Sequence, residues 1–338
     1  MRTSTKRLLA LGTLAGGAVV AGQLVDRMVA GRIRGVTDDD LDPLYVLPDD
    51  VVHHDVTTHD GGTIHVIERG AGRPVVLLHG VTLQAEVWAP LLHLLADRFR
   101  VLAVDVRGHG RSQVGDDGVG RMAAAHDLVT LLEHLDLRGA VLVGHSMGGM
   151  IIGEACTRHP DVVAERVAGL VLMNTAVSGL VPRASLPAVR AARERANARV
   201  SAGRGLPRLV GDNNRSLIAT RAAFGARPSG AAVEQARRMG REVDLQYYIP
   251  LWADLLDYDG EAGLEAFDGP ALVLVGSLDR LTPPAKARRL AAHLGDAELH
   301  VIGAAGHQLL QERPREVSAL IRQLTDRLDR SGLVEAAG

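Results

Sequence analysis

The chain of 338 residues contains a single cysteine, Cys156, and only two lysines, Lys6 and Lys286. One cysteine excludes an intramolecular disulfide. The 14 histidines include no HExxH pattern and have no cysteine partners, so no metal site is indicated. No Walker lysine follows a glycine-rich loop, and Gly144 to Gly149 lacks GxGxxG spacing, so neither a nucleotide nor a flavin is implied and no cofactor is expected. Aromatic residues make up 3% of the chain, with alanine, valine, leucine and glycine in their place. The formal charge of -2 gives no reason to expect a nucleic-acid partner. Arginine supplies nearly all the positive charge, which reads first as codon-composition bias.

What is present suits one large α/β domain with an insertion, or two small domains: 46% apolar and 23% charged residues over a length that buries a sizeable core. Arg2, Lys6 and Arg7 precede a charge-free run from Leu8 to Val25. Residues 1–36 therefore read as a hydrophobic leader, either a signal peptide with Val19-Val20-Ala21 as a loose cleavage signal or a membrane anchor at the lower length limit of a span. Gly12 and Gly16 form a GxxxG. Membrane association through residues 8–25, or export, is the expectation; a cytoplasmic protein is the alternative. Residues 37–50 read as a polar linker with two prolines.

From Val51 the pattern becomes regular. Residues 51–57 and 63–68 are β-rich and joined by Asp60-Gly61-Gly62, a hairpin signal. Val75–Leu78, Val101–Val104, Val141–Val143, Gly169–Met173, Ala271–Val275 and Leu299–Ile302 are short apolar runs of the kind that buried parallel strands show. Helical patterns alternate with them, over Val87–Ala96, Met122–Leu135, Met150–Arg158, Pro284–Leu294 and Pro314–Asp329. Such alternation predicts a mostly parallel sheet covered by helices on both faces. It stops between 176 and 265, where the text is helical, arginine-rich and broken by Pro187, Pro207 and Pro228. The expected division is a core of 51–175 and 266–330, a helical cap of 176–265 seated at the strands' carboxyl edge, and a C-terminal tail of 331–338.

One strand run ends in Gly144-His145-Ser146-Met147-Gly148 and leads into a helix. That is the context of a nucleophile elbow, in which Gly144 and Gly148 must lack side chains. A serine hydroxyl needs an oriented base. In this strand order the acid and then the histidine should follow, each beyond its own strand. Asp279 comes four residues after Ala271–Val275, and His307 five after Ile302. Two amides are needed for a developing oxyanion, and the backbone N–H groups of Met147 and of Val81, which follows His79-Gly80, are the candidates. Each residue alone is also an ordinary cap or loop residue; the conjunction in the required order carries the assignment. Cys156 reads as a small buried apolar group, and His53-His54 as a strand-edge pair.

His79-Gly80, Trp88, Asp105-Val106-Arg107-Gly108-His109-Gly110-Arg111-Ser112, Gly144 to Gly149, Asp279 and Gly306-His307 together resemble the α/β-hydrolase superfamily. Within it they resemble most the bacterial esterase, lipase and cofactor-free haloperoxidase-like branch with a helical cap. The resemblance spans about residues 51 to 330. It implies an α/β-hydrolase fold, a Ser146–His307–Asp279 triad, an architectural role for Asp105 and Arg107, and supporting roles for His79, Gly80 and His145. The resemblance says little about substrate, since the fold hosts many chemistries; the expected function is a serine hydrolase acting through an acyl-enzyme on a small-molecule carboxylic ester, with an apolar acyl group. Perhydrolysis, haloperoxidase-like chemistry or acyl transfer would use the same triad. A membrane-tethered, non-catalytic binding protein should have lost one triad residue, and none is lost. Between Arg183 and Arg241 thirteen arginines stand against Glu194, Asp212 and Glu234, either a solvated helical surface or a face for anionic membranes or substrates.

Overall fold

A computed structural model describes residues 23–179, 186–201 and 210–330. Residues 8–22 of the apolar run, most of the expected leader, and the tail 331–338 lie outside them. Residues 23–34 are helical (α1), and among the described residues no helix is long and apolar enough to cross a membrane. α1 lies against the body: Ala30 is buried, Asp26 pairs with Arg215 at 2.7 Å and Arg34 donates to Asn214. Residues 37–50 also pack on the body. Tyr45, in a short 3-10 helix, is buried and its hydroxyl donates to the Gln311 carbonyl at 2.8 Å.

Among the described residues eight strands form one sheet: β1 (Val52–Thr57), β2 (Thr63–Arg69), β3 (Arg73–Leu78), β4 (Phe99–Val104), β5 (Ala140–His145), β6 (Val167–Met173), β7 (Ala271–Gly276) and β8 (Ala297–Ile302). Their spatial order is β1-β2-β4-β3-β5-β6-β7-β8. The β1–β2 hairpin and the β2–β4 pairing are antiparallel, and every other pairing is parallel. The apolar runs that predict buried strands each sit inside one of these elements, but the run Leu299–Ile302 is not buried as expected: β8 is the edge strand, and of its residues only Ile302 is buried. β5 and β7 are buried at all six positions, as strands covered on both faces must be.

Helices α2 (Ala89–Leu95), α3 (Arg121–His134), α4 (Met147–Arg158), α5 (Pro160–Arg166), α11 (Pro284–Ala291), α12 (Leu309–Glu312) and α13 (Pro314–Arg330) belong to the regular alternation. They divide the apolar core into two clusters, one on each face of the sheet, with α3 and α4 in one and α2 and α13 in the other. Between β6 and β7 stand α6 (Leu186–Ser201), α7 (Asn214–Arg221), α8 (Gly230–Glu242), α9 (Leu245–Leu256) and α10 (Glu261–Glu265). Several of the arginines in this insert are already neutralised locally: Arg237 by Glu234 and Asp212, Arg241 by Asp212, and Arg238 by Glu86. That pairing leaves less free charge for an anionic surface than the bare sequence suggests.

Two of the superfamily-like motif residues have structural positions. Arg107 is 1% exposed and is held by Asp127 through two 2.6 Å bonds, by Asp60 at 2.9 Å and by the Gly118 carbonyl at 2.7 Å. Asp105 accepts from Ala85 N–H at 2.7 Å, Arg111 N–H at 3.0 Å and His65 at 2.8 Å. Both tie loops together, and neither lines the cavity beside Ser146.

Candidate active site

Ser146 follows β5, one of the sheet's inner strands, and α4 begins immediately after it at Met147, three residues earlier than the sequence pattern suggests. The reversal is sharp. Ser146 has φ 53° and ψ -113°, a conformation rarely adopted by an L-residue with a side chain. Its N–H donates to the Met173 carbonyl of β6 at 2.9 Å, and its own carbonyl accepts from Thr175 Oγ1 at 2.7 Å. The helix can start so abruptly because the flanking glycines let backbone lie on backbone. A Cβ on Gly144 would sit 2.5 Å from Gly149 N, and one on Gly148 would sit 2.1 Å from the Leu78 carbonyl oxygen.

The sheet brings the two remote residues to the same edge. β6, β7 and β8 lie side by side beyond β5, so the loops after β7 and β8 open next to Ser146. His307 Nε2 lies 3.1 Å from Ser146 Oγ, and His307 Nδ1 lies 2.9 Å from Asp279 Oδ2. Asp279 is 4% exposed. Burial alone would raise its pKa, but hydrogen bonds from His307, Asn174 and Thr282 outweigh burial and hold the carboxyl well below the usual range. Oδ1 accepts from the Leu281 and Thr282 amides at 2.8 and 3.0 Å, and Oδ2 from Thr282 Oγ1 at 2.7 Å.

His145 packs beneath His307, and its Nε2–H donates to the His307 carbonyl at 2.8 Å. Burial, with the neighbouring His307, pushes its pKa down to about 3. His145 is therefore a neutral strut rather than a base. His79 is fully buried, accepts from Val106 N–H at Nε2 and donates from Nδ1 to the Gly80 carbonyl. Burial and the nearby His109 bring its pKa to about 3 as well. His109 in turn donates from Nε2 to the Val81 carbonyl at 2.7 Å, so two neutral imidazoles fix the Gly80-Val81 turn. A Cβ on Gly80 would come 3.3 Å from Ser146 Cβ, which places this turn directly over the serine. Met147 opens α4, so its N–H has no intrahelical acceptor.

A cavity of about 390 Å³ opens on Ser146 and His307. Val81, Leu83, Met147, Met150 and Leu281 line it from the core, and Tyr248, Trp252 and Leu255 from α9. A second cavity of about 400 Å³, beside Cys156 and Phe267, is remote from Ser146. Cys156 is buried, and burial pushes its thiol up to about 12, so it is inert packing. His53 and His54 lie on the edge strand β1. His59, Asp60 and Asp127 could present ligand atoms to one cation, but Arg107 already occupies both carboxylates.

Two residues that bear on the site were missed in the sequence. Asn174, directly after β6, donates to Asp279 Oδ2 at 2.8 Å and to the Gly306 carbonyl at 3.0 Å. A polar residue closing an apolar strand run is the available signal. Glu312 accepts from Gly306 N–H and from Gly225 N–H, and nothing local in the sequence marks it.

The alpha/beta hydrolase fold family matches residues 73–314. The non-heme haloperoxidase of Rhodococcus erythropolis is 29% identical over 282 residues, covering 78% of this chain and 96% of that protein. A non-heme chloroperoxidase of Streptomyces lividans is 31% identical over 279 residues, covering 77% and 94%. Among solved structures, a thermophilic esterase from Thermogutta terrifontis is similar with a TM-score of 0.68 and 27% identity, over 82% of this chain and 99% of that one.

Proposed function

This chain belongs to the α/β-hydrolase fold family, and from that premise we propose that it is a serine hydrolase cleaving carboxylic esters, with Ser146 as nucleophile. The observation that carries the proposal is the continuous hydrogen-bond line from Ser146 Oγ through His307 to Asp279, at 3.1 and 2.9 Å, facing a largely apolar cavity. His307 takes the serine proton as Oγ attacks the ester carbonyl. Asp279 holds the imidazole with Nδ1–H toward itself and stabilises the imidazolium that forms. The N–H groups of Val81 and Met147 receive the developing oxyanion. His307 then protonates the departing alcohol, leaving an acyl-enzyme, and activates the water that releases the acid.

The helical insert 176–265 acts as the cap of this site, since α9 supplies one wall of the cavity. The apolar lining suits an apolar acyl group of modest length. Perhydrolysis is a second reading, supported by the two relatives named for haloperoxidase chemistry. There hydrogen peroxide replaces water on the same acyl-enzyme and the product is a peracid.

The test is mass spectrometry after exposure to a fluorophosphonate, with Ser146→Ala and His307→Ala beside the wild type. One adduct on Ser146, absent in Ser146→Ala and strongly reduced in His307→Ala, is expected. Folded wild-type protein without an adduct would sink the proposal. Ester turnover with and without peroxide, in the presence of bromide and a halogenatable dye, separates the two acceptors.

A further inference from the structure

We propose that Glu312 is a positioning residue that ties the loop carrying His307 to the inserted helices, so that the base meets Ser146 only while the insert is seated. The inference rests on the reading of Ser146 and His307 as nucleophile and base.

Glu312 ends α12 and is 4% exposed. Oε1 accepts from the Gly306 amide at 2.8 Å, and Oε2 from the Gly225 amide at 2.7 Å. Gly306 immediately precedes His307, whereas Gly225 lies between α7 and α8, in the insert. One carboxylate thus holds two segments far apart in sequence. A carboxylate suits the task because both oxygens accept and neither carries a proton that would oppose an amide.

The two segments are also joined directly. His307 N–H donates to the Ala223 carbonyl at 2.8 Å, and Ala226 N–H donates to the Ala304 carbonyl at 2.9 Å. They approach so closely that neither glycine has room for a side chain. A Cβ on Gly306 would lie 2.4 Å from the Phe224 carbonyl carbon, and one on Gly225 would lie 2.2 Å from the Ala304 oxygen. Ala223, in the same stretch of the insert, lines the cavity over Ser146.

From the core side the same loop is held by His145, through the His307 carbonyl, and by Asn174, through the Gly306 carbonyl. Glu312, itself in α12 of the core, adds the coupling of that loop to the insert, through Gly225. If Glu312 served only to satisfy buried amides, its loss would change stability and leave a folded site equally reactive. If it positions His307, its loss slows the chemical step in molecules that are still folded, with little change in substrate affinity.

The experiment compares wild type, Glu312→Gln, Glu312→Ala and Gly225→Ala. It reads the second-order rate of fluorophosphonate addition at Ser146, kcat and KM on a short p-nitrophenyl ester, and folding by circular dichroism. Glu312→Gln keeps one acceptor and turns an NH₂ group against the other amide, so labelling and kcat are expected to fall roughly tenfold. Glu312→Ala is expected to lose on the order of a hundredfold, with KM changed by no more than about twofold. Gly225→Ala keeps the carboxylate but forces the insert away, and its kcat should fall as well. It decides the question should the Glu312 variants fail to fold. Folded Glu312→Gln or Gly225→Ala that labels within about twofold of wild type overturns the inference. Wild-type protein that does not label at Ser146 overturns instead the reading on which it rests.

Discussion

Asn174 reaches across the sheet edge to Asp279, with Nδ2 at 2.8 Å from Oδ2, and it does so from a left-handed backbone with φ 48°. The same amide group donates to the Gly306 carbonyl, so the acid loop and the histidine loop share one anchor. Hydrogen bonds to a charged group contribute about 1.5–3 kcal/mol. Asn174→Ala should therefore lower kcat on the order of tenfold or more while KM stays nearly constant. Steady-state kinetics on a p-nitrophenyl ester checks this; an unchanged kcat would show that the other contacts to Asp279 suffice.

Asp279→Asn should be far more damaging than its small change in shape suggests. A carboxamide that turns its NH₂ toward His307 Nδ1 leaves the imidazole in the wrong tautomer to accept the serine proton. The expected loss in kcat is on the order of ten-thousandfold. Thr282 Oγ1, 3.3 Å from His307 Nδ1, is too long a contact to replace the carboxylate. Retention of a tenth of the activity would place the acid elsewhere.

Acid should destabilise the fold well before the carboxylates titrate. His79 and His145 are buried neutral, and both pKa values are lowered from 6.5 to about 3. Below 6.5 the unfolded chain binds protons that the folded chain refuses. Stability is thus fully present above that value and is lost progressively as pH falls toward 3. Asp279, held below its ordinary 3.8, adds a further loss only beneath that pH. Tm measured from about pH 8 down to about pH 4 should begin its decline near the ordinary histidine pKa. A curve flat through that range would mean that these imidazoles are not buried in the neutral form.

Trp252, stacked on Tyr248 at 6.2 Å along α9, closes one wall of the cavity over Ser146. Trp252→Ala should lengthen the acyl chain accepted. The ratio of kcat/KM for an octanoate over a butyrate ester is expected to rise by on the order of tenfold. An unchanged ratio would place the acyl chain against another wall.

Much of this was open to reading in the chain because its signals are local. The apolar runs of β3 to β7 announce a sheet buried on both faces, and Asp60-Gly61-Gly62 announces the β1–β2 hairpin; the similar run in β8 misleads, because nothing local in it marks an edge strand. Ser146, Asp279 and His307 are legible as a candidate site because each stands just beyond a strand, and parallel neighbours bring their carboxyl ends together. What stayed hidden depends on contacts between remote segments. Glu312 looks like any acidic residue in a helical stretch until Gly225 folds against it. Asn174 could be placed at a strand end but not paired with Asp279. Residues 37–50 read as a polar linker, and only the buried Tyr45, bonded to Gln311, shows what holds them. Met147 starts α4 earlier than periodicity suggests because Gly148 and Gly149, poor helix formers by propensity, are required there by crowding.

The contorted backbone of Ser146 has an evolutionary side. A residue in such a conformation weakens the fold by about 1–3 kcal/mol, and glycine would relieve most of that strain. Ser146→Gly should therefore yield a chemically dead chain that withstands more heat than the reactive one. On the proposed function, drift toward robustness and drift away from turnover would run in the same direction at this position.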